Sequence, residues 1–468
     1  MCILVCMSRS HRLNVFVQDD SKKIELHCLQ RDVLPVLWAV MLIAGQIALY
    51  AQSIDCALAP KAVSLIEARH MAFHRNWDLL GAQSDVDIAA AERSVAKEFP
   101  NPTASLSSTK WGDHSGSTPS GNSYWDRDYD TVTAVSQLLE IGGKRRARQE
   151  SAQAGVQNAE ARLADARRLL KAGVTQAYVA ALVAARKQGI LNDSAVSLRQ
   201  EATIAEVRQR TGDISSTDKH QIEIAAERLE LDAAAVQADA HNARVALEAL
   251  LGEAQPQGNI MLTDTLESLV DWQGDTLPAQ CNVSDRPDIV AAEAVRSKTR
   301  ADLQLQRAMR IPDPTLLIQY EHAPPDQPNT VGVGVSFPLP FWNFNKGNIA
   351  AAQAAREQAD IQLGKIRAQV VTDIATAQIS YTAALARWHR CRDELMPKSH
   401  DVRESVSLAY QKGSASLLDL LSAQRNDNDI RLETIQAAAD AANALAALQA
   451  AINEPESSVS SNVSVPPG

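Results

Sequence analysis

Asp218 and Asp419 are the residues whose type and placement first suggest chemistry. Each follows a glycine-containing break, Thr211-Gly212-Asp213-Ile214-Ser215-Ser216-Thr217-Asp218 in one case and Lys412-Gly413-Ser414-Ala415-Ser416-Leu417-Leu418-Asp419 in the other, 201 residues apart. A ring of such carboxylates would attract cations and be screened by salt, a field effect that needs no bound metal. The same two residues are also what a helix start favours, since an acidic group there complements the macrodipole. His70 and His74 are an i, i+4 pair on one helical face, but no third ligand or carboxylate motif accompanies them. His220 and His241 are isolated, and no nucleophile elbow, P-loop or Cys/His zinc pattern occurs. No enzyme, cofactor or resident metal is therefore expected. Gly212 and Gly413 stand where a helix must reverse, and glycine tolerates the positive φ of such a turn.

The elements around these breaks repeat. After the first, Ile222, Ala226, Leu229, Ala233, Val236, Ala240, Ala243, Leu247 and Leu250 alternate steps of four and three, the seam of a coiled coil. Shifted by 201, the seam falls on Ala423, Asp427, Ile430, Thr434, Ala437, Ala441, Ala444, Leu448 and Ala451, interrupted only at Asp427 and Thr434. Before each break lies a helical stretch, Gly143 to Thr211 and Asn343 to Lys412, each on the order of 100 Å at the α-helical rise. Pro397 predicts a kink or break near Met396 in the second. Further upstream, helices over Val63 to Phe99 and from Arg286-Pro287-Asp288 to Ile311 stop at Pro100-Asn101-Pro102 and Pro312-Asp313-Pro314. Strands follow at Thr103 to Lys110 and Thr131 to Leu139, and again at Thr315 to His322 and Thr330 to Pro338. Residues 331–337 alternate in size, as a two-faced strand does. The organisation is a repeat over 60–252, a linker over 253–284, a second repeat over 285–453, and a disordered tail over 454–468.

Composition fits thin bundles. Of 468 residues, 45% are hydrophobic but only 4% aromatic, so small residues must pack helices along narrow seams. A formal charge of −10 with interspersed signs excludes a nucleic-acid surface. The apolar run from Leu34 to Gly45, followed by Ala57-Leu58-Ala59, reads as a secretion signal within a leader of 1–59, its long polar start suggesting a start codon assigned too far upstream. A single membrane anchor and lipidation at Cys56 are the alternatives. Beyond that leader only Cys281 and Cys391 remain, and spacing does not decide whether they pair.

Helices this long bridge distant places. Four strands of about eight to ten residues suit a tilted outer-membrane barrel, yet even small barrels need about eight strands, so several chains must share one. Three copies would supply twelve strands above a helical tube. Ordinary surface hairpins on a soluble coiled-coil protein are the alternative.

The strand edges carry a resemblance. Gln137-Leu138-Leu139-Glu140-Ile141-Gly142-Gly143-Lys144-Arg145, the run from Pro338-Leu339-Pro340-Phe341-Trp342-Asn343 to Ile349, and Arg286-Pro287-Asp288 are similar to the TolC family of outer-membrane efflux proteins, most of all its CzcC-like heavy-metal branch. The resemblance implies a mainly α fold of duplicated long coiled-coil hairpins with four strands per chain, assembled as a homotrimer into a 12-stranded barrel in outer-membrane lipid and a periplasmic α-barrel. It further implies a periplasmic adaptor and an inner-membrane, proton-driven pump. Thr211, Gly212, Asp213, Lys412, Gly413 and Ser414 then become adaptor-docking candidates at the hairpin tips. Asp218, Tyr410 and Asp419 become candidates for the periplasmic gate, with Tyr410 hydrogen-bonded to Asp218. The family's reinforcing arginine is replaced by Ala415. Metal-cation export is the leading expectation, multidrug or solvent export its rival within transport, and a soluble periplasmic scaffold the rival outside it.

Overall fold

The computed structural model describes residues 62–109, 130–270, 283–323 and 327–453, together with the backbone of two short strands near the start. The chain divides into Met1–Ala59 and Pro60–Gly468. In the first unit β1 (Leu4–Met7) and β2 (Leu13–Phe16) pair antiparallel. The expected signal segment, Cys56, Cys281, the Gly112 to Asp130 loop up to its last residue, and the tail lie outside the described residues.

In the second unit, Ala62–Val63 (β3) leads into α1 (Leu65–Arg75) and α2 (Trp77–Val95). The single helix expected over Val63 to Phe99 is thus two. Asn76 interrupts it: its Oδ1 accepts the Leu79 N–H at 3.1 Å to cap α2, while its Nδ2 donates to the Leu250 carbonyl at 2.9 Å. A side chain committed to both tasks fixes an extended backbone, and the helix must restart. Strands β4 (Thr103–Thr109) and β5 (Asp130–Leu138) follow, then α3 (Lys144–Thr211) and α4 (Ser216–Leu250). The second repeat gives α6 (Pro287–Ala308), β7 (Thr315–Ala323), β8 (Gln327–Ser336), α7 (Lys346–Arg390), α8 (Met396–Gln411) and α9 (Leu417–Ala451). Between the repeats, β6 (Met261–Leu262) runs parallel to β3, and α5 spans Leu266–Val270. The buried Glu248 carboxylate holds this crossing by accepting the N–H groups of Gln257, Gly258 and Ile260 at 2.6, 2.6 and 2.9 Å.

α3 runs 68 residues without a break, about 100 Å at 1.5 Å per residue. Its counterpart passes Pro397 without breaking. Proline lacks an N–H and crowds the carbonyl four residues back, and a π-helical turn at Cys391–Leu395 widens the helix just ahead of Met396 to accommodate it. Every position of both predicted seams is buried or half-buried, Asp427 and Thr434 included. The main core gathers at mid-height, where Tyr178, Val174, Leu247, Trp388, Cys391 and Ala441 meet α1 and α5. Cys391 is a free, buried thiol. Among the described residues no helix is long and apolar enough to cross a membrane.

The four long strands form one antiparallel sheet in the order β4-β5-β7-β8, so the repeats are joined where β5 pairs with β7. The register places Leu106, Thr133, Tyr320 and Val331 in one row, and Ala104, Val135, Ile318 and Val333 in the next on the same face. Ser105, Ala134, Gln319 and Gly332 align on the opposite face. One face is therefore apolar and bare, with Val333 84% exposed and Ile318 61%, and the other is mostly polar or small, with Leu317 and Val132 among its residues.

Candidate functional site at the helical tips

Both hairpins turn by the same device. At the end of α3 the N–H of Gly212 bonds the Gln209 carbonyl at 3.2 Å and that of Asp213 bonds Arg208 at 2.9 Å; at the end of α8 Gly413 bonds Tyr410 at 3.0 Å and Ser414 bonds Ala409 at 2.9 Å. These are Schellman closures, which place the residue after the helix in the left-handed region. Gly212 has φ 84° and Gly413 φ 75°, and a Cβ at either would meet nothing within 4 Å, so backbone conformation alone demands glycine. Thr211, Gly212, Asp213, Lys412, Gly413 and Ser414 are all exposed there.

Asp218 and Asp419 have a structural task as well. Ser215 and Asp218 form a capping box at the start of α4, and Ser416 and Asp419 another at the start of α9. The Asp419 carboxylate accepts from the Ser416 hydroxyl at 2.7 Å and its N–H at 3.1 Å, and these bonds hold its pKa below the usual carboxylate range. The reading of these two as acidic groups at helix starts thus describes what they do within one chain.

Tyr410 is buried, 4% exposed, in a cluster with Leu198, Ala205, Ile222, Leu417 and Leu420 that joins all four tip helices. Burial pushes its phenol pKa up. The hydrogen bond to Asp218 that the resemblance implies is not formed: the Tyr410 hydroxyl has no partner among the described residues, and Asp218 Oδ2 lies 3.4 Å from the Ser215 N–H. The α3–α8 contact is made by residues that sequence reasoning passed over. Arg208 Nη1 donates to the Tyr410 carbonyl at 3.3 Å, and its guanidinium carbon stands 5.2 Å from the Tyr410 ring centroid. Two turns back, Glu201 Oε1 receives the Ser407 hydroxyl at 3.5 Å and the Gln411 amide at 3.4 Å. The only signal for this pair was a seven-residue spacing on one helix face, which in a 68-residue helix singles out nothing.

At the other end of the helices the junction motifs have physical roles. Buried Lys144 donates to the Ile311 carbonyl at 2.5 Å and pairs with Asp313 at 2.7 Å, tying the Gly-Gly-Lys-Arg turn of one repeat to the Pro-Asp-Pro turn of the other. Arg286 pairs with Asp288 and Asp373, each at 2.9 Å, and donates to the Ala451 carbonyl at 3.3 Å, so one side chain ties the start of α6 and the end of α9 to the middle of α7. His70 and His74 lie with their Nε2 atoms 3.3 Å apart. No group of three or more His, Cys, Asp or Glu side chains able to hold a metal gathers among the described residues.

The family described as "Outer membrane efflux protein" matches residues 68–253 and 282–454. The chain is similar to the cobalt-zinc-cadmium resistance protein CzcC of Cupriavidus metallidurans, 25% identical over 418 residues covering 85% of this chain and 93% of that one. It is also similar to the pyoverdine export outer membrane protein OpmQ of Pseudomonas aeruginosa, 25% identical over 335 residues, 68% of this chain and 67% of the relative. Its fold matches the crystal structure of the outer membrane protein VceC from Vibrio cholerae with a TM-score of 0.67 at 20% identity, over 83% of this chain and 95% of that one. The soluble scaffold is thereby set aside. With both repeats matched over nearly their whole length, and with a sheet bare on one apolar face above two long hairpins, the chain belongs to the outer membrane efflux protein family and is an outer-membrane efflux channel protein.

Proposed function

We propose that three copies of this chain close a shared barrel in the outer membrane above a helical periplasmic tunnel, and that this channel exports metal cations. One observation carries the reading: a four-stranded sheet with an apolar face and two open edges passes directly into hairpins about 100 Å long. Four strands cannot close on themselves, whereas twelve can. The helices reach far from the membrane, so the exposed tip residues Thr211, Gly212, Asp213, Lys412, Gly413 and Ser414 are the surface for a periplasmic adaptor, which links the channel to a proton-driven inner-membrane pump. Asp218, Asp419 and Tyr410 stand at the tunnel mouth, where carboxylates repeated threefold draw cations in.

The metal substrate is supported by the name of the Cupriavidus relative. The pyoverdine exporter supports the second reading, a channel for organic compounds. Deleting the gene and measuring growth and cell metal across zinc, cobalt, cadmium, nickel, copper and silver, beside a drug panel, separates the two. Sensitivity to one metal group, restored by the intact gene, is the expected result; drug sensitivity with unchanged metal tolerance would move the protein to the second reading. For docking, Gly212→Val or Gly413→Val is expected to abolish export while the trimer still assembles. Loss of the trimer in those variants would assign the tips to folding instead.

A further inference from the structure

The tip cluster contains two buried polar atoms that no neighbour satisfies, the Tyr410 hydroxyl and Glu201 Oε2. Groups buried without a partner disfavour the arrangement that buries them. The present position of α8 against α3 therefore needs a compensating contact, and two charged residues of α3 reach α8: Glu201, whose bonds to Ser407 and Gln411 are long at 3.5 and 3.4 Å and whose other oxygen is itself unsatisfied, and Arg208. Arg208 holds the Tyr410 carbonyl at 3.3 Å and covers the same residue's ring at 5.2 Å. Its bond goes to a carbonyl in the last turn of α8, where the helix dipole is negative and a cation is favoured. The side chain of Ala415, where the family's arginine is replaced, offers the cluster only apolar packing.

We propose that Arg208 is the positioning residue that holds the tips of the two hairpins together and keeps the mouth narrow, while the Tyr410 hydroxyl takes no part in closure. This deepens the channel reading and rests on it. With Arg208 in place, α8 stays on α3 despite the two unsatisfied groups. Without it, α8 moves away, and water reaches both the phenol and the Glu201 carboxylate. Fold and turn do not depend on the side chain, since the Schellman bond at this position is accepted by the Arg208 backbone carbonyl.

The test is single-channel recording of the purified trimer in planar lipid bilayers. Arg208→Ala is expected to raise the open fraction about tenfold, the scale of one lost charged hydrogen bond. Tyr410→Phe is expected to leave it at or below the wild-type level, because it removes an unsatisfied group from the closed form. Arg208→Lys, which keeps the charge and one donor, is expected to lie between wild type and alanine. If Arg208→Ala fails to assemble, Arg208→Met keeps the aliphatic stem over the ring and removes only the donors. An open fraction unchanged in both the alanine and methionine variants would overturn the proposal. So would opening by Tyr410→Phe to the same extent, which would return closure to the hydroxyl. If assembled trimers of wild type and every variant carry no current, the channel reading itself has failed.

Discussion

Asp427 is the sharpest place to test how the tunnel helices are held. It occupies a seam position, is 1% exposed, and forms ion pairs with Arg403 at 3.1 Å and Arg431 at 2.9 Å; the Ser399 hydroxyl donates to its other oxygen at 3.0 Å. The arginine side chains keep 21% and 29% of their surface in solvent, so they tolerate losing the carboxylate better than it tolerates losing them. Replacing either arginine with Met leaves one cation and Ser399 in place and should cost about 1–2 kcal/mol. Replacing both leaves a buried carboxylate with no cation and should cost about 3–5 kcal/mol, more than the two single losses added. Asp427→Leu completes the coiled-coil seam and releases both arginines to water, so its cost should stay within about 1 kcal/mol. Hydrogen exchange of the α9 amides around residue 427 in the detergent-solubilised trimer reads these energies locally. About tenfold loss of protection is expected for each single arginine variant, and beyond a hundredfold for the double. The reasoning fails if Asp427→Leu exchanges fastest, or if the double variant is no worse than the singles.

Three other outcomes can be checked. Arg286→Met strips the partner from Asp288 and Asp373 at once, and because both carboxylates are partly exposed it should cost about 2–3 kcal/mol, seen as a lower temperature for heat-dissociation of the trimer. On the sheet, Val333→Arg should cost about 2–4 kcal/mol and reduce assembled barrel in outer-membrane fractions, whereas Gln319→Arg on the opposite face should assemble normally. The Asp419 cap follows pH with a definite sign. A carboxyl whose folded pKa is depressed stabilises above its unfolded value and loses that contribution as pH falls through the folded one. Protection factors of the first-turn amides of α9, which remove the base-catalysed slowing of exchange itself, should therefore stay constant from neutral pH down to about 4 and fall only below it, a fall that Asp419→Asn abolishes.

Much of this architecture was legible because duplication repeats its own evidence. Two copies of a four-three seam and of a Pro-x-Pro stop located the hairpins and the four strands. Asp427 read as a defect of the seam and is its ionic anchor, because heptad logic registers polarity but not the partners that arrive from a facing helix. Pro397 read as a kink or break near Met396, and the irregularity is there as a π turn, a form with no signature in local sequence. Asn76 split a helix through a local cap on Leu79 and a bond to Leu250, distant in the chain. At the tips the glycines and capping boxes were visible as local patterns. Arg208 and Glu201 were not, since their significance lies only in what α8 presents to them.

The sheet has an even number of strands and two unlike edges. All three pairings are antiparallel, so β4 and β8, the outer strands, run in opposite directions. When β8 of one copy meets β4 of the next, the up-down alternation continues across the boundary with no parallel seam. An odd number would force such a seam at every subunit contact. Because β4 differs from β8, this contact joins two different patches, so copies add head to tail around a barrel axis rather than face to face across a twofold at the contact. Each addition leaves the same two edges free until rotation brings the last to the first. Head-to-tail addition is thereby written into the strand count of a single chain, while the tilt and curvature of the sheet decide how many copies close the ring.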